Sequence, residues 1–271
     1  MRGIDKRFGA VHANQAVDLT VRAGTVHGIV GENGAGKSTL MSILYGFYQA
    51  DRGEIEIEGR RALIHGSRDA IALGIGMVHQ HFMLVDSLSA LDNVMLGAEP
   101  DWRLGRARAQ VRQRLEVLMQ ETGLPVRLDL AVEDLPVGER QRLEILKALY
   151  RGARILILDE PTAVLTPQES GDLFATLREL VTEGLSIIFI SHKLDEVLAV
   201  SDRIAVLRNG RLVATRAAPG TTKGELAELM VGRAVVMPIR ERRAPGATVV
   251  AVDAVHARDV RGHALLDGVD L

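Results

Sequence analysis

The chain alternates short aliphatic runs with stretches whose apolar residues recur at helical spacing, and this alternation predicts an α/β domain. The runs that predict buried strands are Val26–Val30, Ile75–Val78, Ile155–Leu158 and Leu185–Ile190. The helical stretches lie between these runs, and the first of them, Thr39–Tyr45, is apolar along one side. Because the aliphatic runs are continuous rather than alternating, their strands are expected to be covered on both faces.

Two other patterns add to this core. Gly53–Gly59 alternates glutamate with isoleucine, which is typical of a strand with one solvent-exposed face. Ile204–Leu207 and Leu212–Ala214 flank an Asn-Gly pair and predict a hairpin. From Met83 to Gly152, by contrast, helical spacing prevails, and Arg106–Thr122 is a long amphipathic stretch. We interpret this part as a helical insert whose arginines form a solvated face.

Composition excludes several classes of protein. The 271 residues are 47% apolar but only 3% aromatic, so the core must be aliphatic. The formal net charge of -2 gives no electrostatic reason to expect binding to nucleic acid or to an anionic membrane surface. Without cysteine there is no disulfide and no thiolate metal site. We expect no secretory signal, because charged residues and not an apolar core follow Met1–Asp5, and no membrane span, because no apolar run approaches roughly 20 residues.

The strongest chemical signal is Gly31–Ser38, which reads G-x-x-x-x-G-K-S between a predicted strand and a predicted helix. Triphosphate oxygens need several N–H donors at once, and Gly34 and Gly36 let the backbone approach them without an intervening Cβ. The helix that begins near Lys37 adds the positive end of its dipole. Lys37 would reach the β- and γ-phosphates, and the Ser38 hydroxyl would bind Mg²⁺. This stretch therefore predicts a nucleotide site.

Two acids, Asp159 and Glu160, end the buried strand 155–158. In a protein with a phosphate-binding loop, Asp159 would hold Mg²⁺ directly or through water. Glu160 would polarise a water molecule for attack on the γ-phosphate. The alternative is a solvated acid pair at the end of a strand, and the phosphate-binding loop upstream argues against it.

Three further residues each have a functional and a structural interpretation. Phe8 lies beside a glycine in a predicted turn, where it could stack on adenine or serve as a small hydrophobic anchor. Gln80 follows the strand 75–78, where it could bind Mg²⁺ and position water, or merely face solvent. His192 follows the strand 185–190, where it could donate a hydrogen bond to the γ-phosphate or be an ordinary satisfied polar residue. The surroundings of each residue leave both interpretations open.

The end of the chain echoes its beginning, because Ala264–Leu271 matches Ala13–Leu19 with one gap, about one domain length away. Thr248–Val252 is expected to form the strand ahead of this echo. We interpret the tail as the first strands of a second, similar domain, so the chain is expected to be a fragment at both ends. The predicted borders are 1–236 for the first domain, 237–246 for a charged, proline-flanked linker and 247–271 for the truncated second domain.

Taken in order, these signals resemble the ATP-binding subunit of an ABC transporter from Ile4 to about Arg233. The resemblance implies an α/β P-loop NTPase core with a mixed sheet, an antiparallel β subdomain and a helical subdomain insert at about 83–152. More narrowly, Ser191–Val197 and Met230–Arg233 resemble the tandem ATPases of bacterial nucleoside and simple-sugar importers. Gly76–Leu84 resembles the nucleoside branch of that group more than the ribose or galactose branch.

The resemblance also implies roles for individual residues. Phe8 matches the adenine-stacking aromatic, Gln80 the Q-loop and His192 the switch histidine. Asp159 matches the Walker B aspartate and Glu160 the catalytic glutamate. The nucleotide would be bound by Phe8 and by the Walker A residues Gly31, Asn33, Gly34, Ala35, Gly36, Lys37, Ser38 and Thr39. Catalysis would fall to Glu160, His192 and Gln80, and Mg²⁺ would be held by Ser38, Gln80 and Asp159.

The implied cofactors are ATP and Mg²⁺, and the implied partners are other parts of a transporter. They comprise a second nucleotide-binding domain in the same full-length chain, transmembrane permease subunits and, indirectly, a periplasmic or lipoprotein substrate-binding protein. The location would be peripheral, at the cytoplasmic face of the inner (plasma) membrane. No nucleic-acid partner is expected.

The signature segment departs from the family pattern. The family usually has L-S-G-G-Q, and the matching residues here are Leu135, Pro136, Val137, Gly138 and Glu139. Pro136 supplies neither the hydroxyl nor the N–H that serine gives to a γ-phosphate, and Glu139 adds negative charge. Because this segment faces the other domain's Walker A loop in an ABC dimer, we hypothesise that the second domain's site is weakened.

Three rival functions follow from the same residues. A soluble ABC ATPase acting on ribosomes or DNA would need a long coiled-coil or basic insertion, and the sequence has neither. A small-molecule kinase would have no reason for the series of Gln80, signature and His192. A non-hydrolysing switch module conflicts with Asp159, Glu160 and His192, although an isolated fragment could bind ATP and barely hydrolyse it.

Overall fold

A computed structural model describes residues 1–97, 104–233, 246–260 and 262–271. Contacts divide the chain into two units, Met1–Val235 and Val236–Leu271, and each is described by itself. The predicted linker at 237–246 lies outside the described residues except for its last position.

The first unit holds ten strands and eight helices among its described residues. The strands are β1 (Arg2–Phe8), β2 (Val11–Val17), β3 (Val26–Val30), β4 (Arg52–Ile57), β5 (Arg60–Ala62), β6 (Ile75–Val78), β7 (Ile155–Asp159), β8 (Ser186–Ile190), β9 (Arg203–Arg208) and β10 (Arg211–Ala217). The helices are α1 (Lys37–Leu44), α2 (Ser67–Ala72), α3 (Ala90–Met95), α4 (Leu104–Thr122), α5 (Val137–Tyr150), α6 (Pro167–Thr182), α7 (Leu194–Val200) and α8 (Lys223–Val231).

A six-stranded mixed sheet carries the core of this unit, in the order β10-β9-β3-β8-β7-β6. Its strands are parallel from β9 to β6, and only the hairpin of β9 and β10 is antiparallel. Every residue of β3, β6 and β8 is buried, as continuous aliphatic runs predict. The carboxyl ends of the parallel strands therefore meet along one edge, where the predicted chemistry lies.

A second, antiparallel sheet has the order β2-β1-β4-β5. Strand β4 covers most of the alternating stretch 53–59, so the prediction of a half-exposed strand is confirmed. Helices α3, α4 and α5 fill the chain between β6 and β7, as the helical spacing predicts. Their apolar faces pack together through Leu91, Val111, Leu115 and Leu143, which are all fully buried. Among the described residues, no helix is both long and apolar enough to cross a membrane.

The second unit contains an antiparallel pair, β11 (Val255–Arg258) and β12 (Ala264–Val269). The prediction of a strand at 248–252 is wrong, because most of that stretch has no paired backbone. Only Val252 pairs, through two backbone hydrogen bonds with Leu271 of 2.7 and 2.9 Å. A valine-rich run favours a strand only where a neighbouring strand can accept its hydrogen bonds.

A buried histidine makes the stability of the fold sensitive to acid. His27 in β3 is 1% exposed, and neither ring nitrogen has a hydrogen-bond partner among the described residues. Burial, helped by the charge of Arg203, lowers the pKa of His27 from 6.5 to about 4. The unfolded chain therefore takes up this proton at a higher pH than the folded chain does. Stability is present above the unfolded pKa and is lost as the pH falls towards the folded pKa.

We expect the free energy of unfolding to fall by about 3 kcal/mol as the pH drops from 6.5 to about 4. Urea titrations at several pH values across this window would measure the fall. The matched variant His27→Leu lacks the titrating ring and should lose this share of the pH dependence. An equally steep acid dependence in His27→Leu would contradict the assignment.

Candidate nucleotide-binding site

The predicted site residues come together in one cleft of about 720 Å³ at the carboxyl edge of the mixed sheet. The cleft is lined by Phe8, Asn33, Gly34, Ala35, Gly36, Lys37, Ser38, Thr39, Gln80, Asp159, Glu160 and His192. Gly31 lies at the base of the loop, and the signature residues 135–139 lie outside the cleft. A larger cleft of about 830 Å³ lies at the opposite edge, beside the first residues of β7 and β8, and contains none of these groups.

Glycine is needed in the phosphate-binding loop for close packing as well as for backbone freedom. Gly34 and Gly36 have φ angles of 81° and 97°, in the left-handed region. A Cβ at Gly36 would lie 2.3 Å from the carbonyl oxygen of Ala13. A Cβ at Gly31 would lie 2.3 Å from the carbonyl oxygen of Leu207. The loop therefore packs closely against β2 at Gly36 and against β9 at Gly31, and these contacts fix the path of its backbone.

Lys37 already lies inside the loop. Its side chain donates hydrogen bonds to the carbonyl oxygens of Gly31 at 2.8 Å and Glu32 at 3.1 Å. Burial lowers the pKa of Lys37, and the charges of Glu160 and Asp159 oppose that shift. An ammonium held beside a glycine-rich loop at the start of a helix is suited to bind phosphate.

Asp159 and Ser38 form the part of the site that fits a divalent cation. Asp159 is 7% exposed, and burial raises its pKa while a hydrogen bond from Ser38 lowers it. A carboxylate next to a hydroxyl supplies the hard oxygen ligands that Mg²⁺ prefers. Gln80 lines the same cleft, and its side-chain carbonyl oxygen is a third possible ligand for the cation.

Glu160 and His192 form a pair in which the histidine orients the acid. Oε1 of Glu160 accepts a hydrogen bond from the backbone N–H of His192 at 3.1 Å and lies 2.9 Å from Nδ1 of its ring. Oε2 is buried and has no partner in the described part of the chain. Glu160 also has a φ of 53°, a strained value for a residue with a side chain. One oxygen is thus fixed, and the other is buried and unpaired among the described residues, in a side chain that lines the cleft.

Side chains of helix α5 form hydrogen bonds with the backbone of the loop that carries Gln80. The N–H of Met83 donates to Glu144 at 2.9 Å, and the side chain of Lys147 donates to the Met83 carbonyl at 2.8 Å. Glu144 is 3% exposed, and burial raises its pKa while Lys147 opposes the shift. The backbone N–H and C=O of Met83 are therefore both fixed, by the side chains of Glu144 and Lys147, which lie one helical turn apart in α5.

Phe8 lies at the mouth of the cleft and is 41% exposed. The ring of Tyr48 meets it edge to face, with centroids 5.1 Å apart, and the ammonium of Lys6 lies 5.3 Å from its centroid. Lys6 and Tyr48 thus hold the Phe8 ring in place at the mouth of the cleft. Tyr48 was not predicted as part of the site, because it belongs to no motif and is distant from Phe8 in sequence.

The signature segment begins helix α5, with Pro136 at its N-cap. Arg127 neutralises Glu139, because its guanidinium lies 2.8 Å from that carboxylate and its backbone N–H donates at 3.2 Å. Burial raises the pKa of Glu139, but the hydrogen bonds and charge of Arg127 outweigh this effect and hold the pKa below its ordinary value. The hypothesis that the second domain's nucleotide site is weakened therefore rests mainly on the hydroxyl and N–H that Pro136 lacks, and less on the charge of Glu139.

Comparison with known sequences agrees with this geometry. A profile of the family described as ABC transporter matches residues 14–163. The glucose import ATP-binding protein TsgD13 of Haloferax volcanii and the nucleoside import ATP-binding protein NupA of Lactococcus lactis are 47% and 45% identical over 100% of this chain. The guanosine import ATP-binding protein NupO of Bacillus subtilis is 47% identical over 97%. The chain spans about half of these relatives: 54%, 54% and 52% of their lengths.

Solved structures share the fold. The ADP conformation of MJ1267, an ATP-binding cassette of an ABC transporter, gives a TM-score of 0.73 at 25% identity and covers 86% of this chain and 97% of that one. The structure of cbiO1 from Clostridium perfringens gives 0.70 at 27% identity and covers 80% and 87%. The predicted fold class is confirmed: an α/β P-loop fold with a mixed sheet, an antiparallel sheet and a helical region.

Proposed function

The chain belongs to the ABC transporter family, and from that premise we propose that it is the first nucleotide-binding domain of a tandem ATPase that energises the import of nucleosides or simple sugars. The observation that carries the proposal is the Glu160–His192 pair, at 2.9 Å, in one cleft with the phosphate-binding loop. The relatives are import ATP-binding proteins for glucose, nucleosides and guanosine, which supports the substrate class.

In this proposal each site residue has a distinct task. The loop 31–38 and Lys37 bind the β- and γ-phosphates, and Phe8 stacks on the adenine. Ser38, Asp159 and Gln80 hold Mg²⁺, which when bound neutralises phosphate charge. Glu160 accepts the proton of the attacking water, and His192 keeps the carboxylate in place.

The proposed partners follow from the length of the chain and from its surface. Relatives about twice as long are consistent with a second nucleotide-binding domain, whose first strands we place at 247–271, after a linker at 237–246. Phe47, Met83 and Val85 are exposed apolar residues on the side of Gln80, and Phe47 stacks on His79 at 5.3 Å. We place the permease at this surface, and the protein at the cytoplasmic face of the inner membrane.

Uptake measurements in the protein's own host would test the import function. Deletion of the full-length gene is expected to abolish uptake of radiolabelled guanosine or of ribose. Wild-type protein should restore that uptake, whereas Lys37→Ala should not, because the loop then lacks its phosphate-binding cation. Uptake of nucleosides and sugars that is unchanged by the deletion would contradict the proposal.

The signature hypothesis predicts a gain of activity. In the full-length protein, Pro136→Ser supplies a hydroxyl and an N–H toward the ATP of the second domain, and we expect turnover to rise by about threefold to tenfold. Arg127→Gln, which unpairs Glu139 without restoring those donors, serves as the contrasting variant and should not raise turnover. Steady-state phosphate release would measure both. Turnover in Pro136→Ser equal to that of wild type would count against a weakened second site.

A further inference from the structure

A buried asparagine outside every recognised motif lies directly beneath the phosphate-binding loop. Asn14 in β2 is 0% exposed. Its side-chain amide donates a hydrogen bond to the carbonyl oxygen of Gly36 at 3.1 Å. The same carbonyl accepts the N–H of Leu40 at 3.0 Å, the first bond of helix α1. Both lone pairs of the Gly36 oxygen are therefore occupied, and its direction is fixed.

The direction of this carbonyl determines where the next N–H points. In a trans peptide the C=O and the following N–H point in opposite directions. With the oxygen of Gly36 held toward Asn14, the N–H of Lys37 must point away from β2. The preceding peptide is held in the same manner, because the carbonyl of Ala35 accepts the N–H of Gly210 at 3.1 Å. The carbonyl groups of Ala35 and Gly36, in two successive peptides of the loop, are thus oriented by donors from Gly210 and Asn14.

The asparagine is a poor choice for stability alone. Its Oδ1 is buried without a hydrogen-bond partner among the residues that the structure describes. Leaving a buried acceptor unpaired costs about 1–3 kcal/mol, which an aliphatic side chain of similar size would avoid. Aligning the tail with the start of the chain places a leucine at the position of Asn14, Leu266 in the ungapped block that ends in Val-Asp-Leu, so a leucine suits this kind of strand. The side chain is therefore kept for its amide donor.

We propose that Asn14 is a positioning residue for phosphate binding, which holds the Gly36–Lys37 peptide so that the Lys37 N–H is presented to the phosphates. The inference rests on the proposed function, because it assigns this loop to a nucleoside triphosphate. It makes a prediction that a merely structural role would not: removing the amide weakens phosphate binding without weakening the fold.

The test is the affinity of three variants for MgATP, measured together with their melting temperatures. Asn14→Leu should raise the Kd for MgATP about tenfold, the equivalent of one lost hydrogen bond, while its Tm stays equal or rises. Asn14→Asp places an acceptor against the Gly36 oxygen and should raise the Kd further. Ser201→Ala removes another buried oxygen without a partner, away from the cleft, and should leave the Kd unchanged.

Inorganic tripolyphosphate serves as a second probe, because the inference concerns phosphates and not the base. Its affinity should fall by the same factor as that of MgATP in Asn14→Leu. Wild-type affinity in Asn14→Leu, or a loss of affinity that only follows a fall in Tm, would overturn the inference while leaving the proposed function intact. A wild-type chain that binds neither probe would overturn the proposed function and the inference together.

Discussion

Glu160→Gln is expected to leave the affinity for MgATP within about threefold of wild type and to reduce phosphate release by about 10²–10⁴-fold, the usual contribution of a general base. The amide keeps the size of the carboxyl group and one hydrogen-bonding oxygen for His192. It cannot accept a proton from water. The change therefore separates binding, which depends on the loop 31–38, from chemistry, which depends on the carboxylate of Glu160.

The comparison needs a sensitive assay, because we expect a single nucleotide-binding domain to turn over slowly without a second one. Single-turnover release of radiolabelled phosphate from wild type, Glu160→Gln and Glu58→Gln would suffice. Glu58 is an exposed glutamate paired with Arg154 and remote from the cleft, so its variant should behave as wild type. Equal phosphate release in Glu160→Gln and wild type would place the general base elsewhere.

Gly36→Ala is expected to weaken MgATP binding by about 100-fold or more. The added Cβ would lie 2.3 Å from the Ala13 carbonyl oxygen and 2.7 Å from the Asn14 amide nitrogen, at a φ of 97°. The first of these atoms belongs to the backbone, so the loop must shift away from β2. Strain and displacement of a few kcal/mol at a binding loop correspond to a loss of affinity of this size.

Gly34→Ala is the matched control, because Gly34 also has a positive φ, 81°, but no atom lies within 4 Å of its added Cβ. It should lose affinity only through the left-handed strain, by about fivefold to tenfold. Isothermal titration with MgATP would compare the two variants. Equal losses would mean that backbone conformation, and not close packing against β2, sets the geometry of the loop.

The chemistry of the site was largely predictable from sequence, because strand-end residues of a parallel sheet must meet at one edge. The positions of Lys37, Asp159 and His192 follow from three aliphatic runs and the residues that end them. The sequence Thr166-Pro167-Gln168-Glu169 is likewise typical of a capping box, and in the structure both of its reciprocal hydrogen bonds are present at the start of α6.

The supporting contacts were not predictable, because they join residues that are distant in sequence and belong to no motif. Asn14 in β2 donates a hydrogen bond to the carbonyl of Gly36, and the ring of Tyr48 packs against that of Phe8. The Arg127 partner of Glu139 lies in a loop before α5, so the sequence suggested a free charge where the structure has a paired one. Such contacts depend on tertiary packing, which local patterns do not specify.

An equilibrium titration shows most directly whether the loop 31–38 of this chain binds a magnesium-complexed nucleoside triphosphate. Wild-type chain would be titrated with ATP in the presence of Mg²⁺ and again in excess EDTA, beside the variant Lys37→Ala. We expect saturable binding at one site that is tighter with Mg²⁺, is competed by tripolyphosphate and is lost in Lys37→Ala. Absence of saturable binding, or binding that Lys37→Ala leaves unchanged, would contradict this expectation.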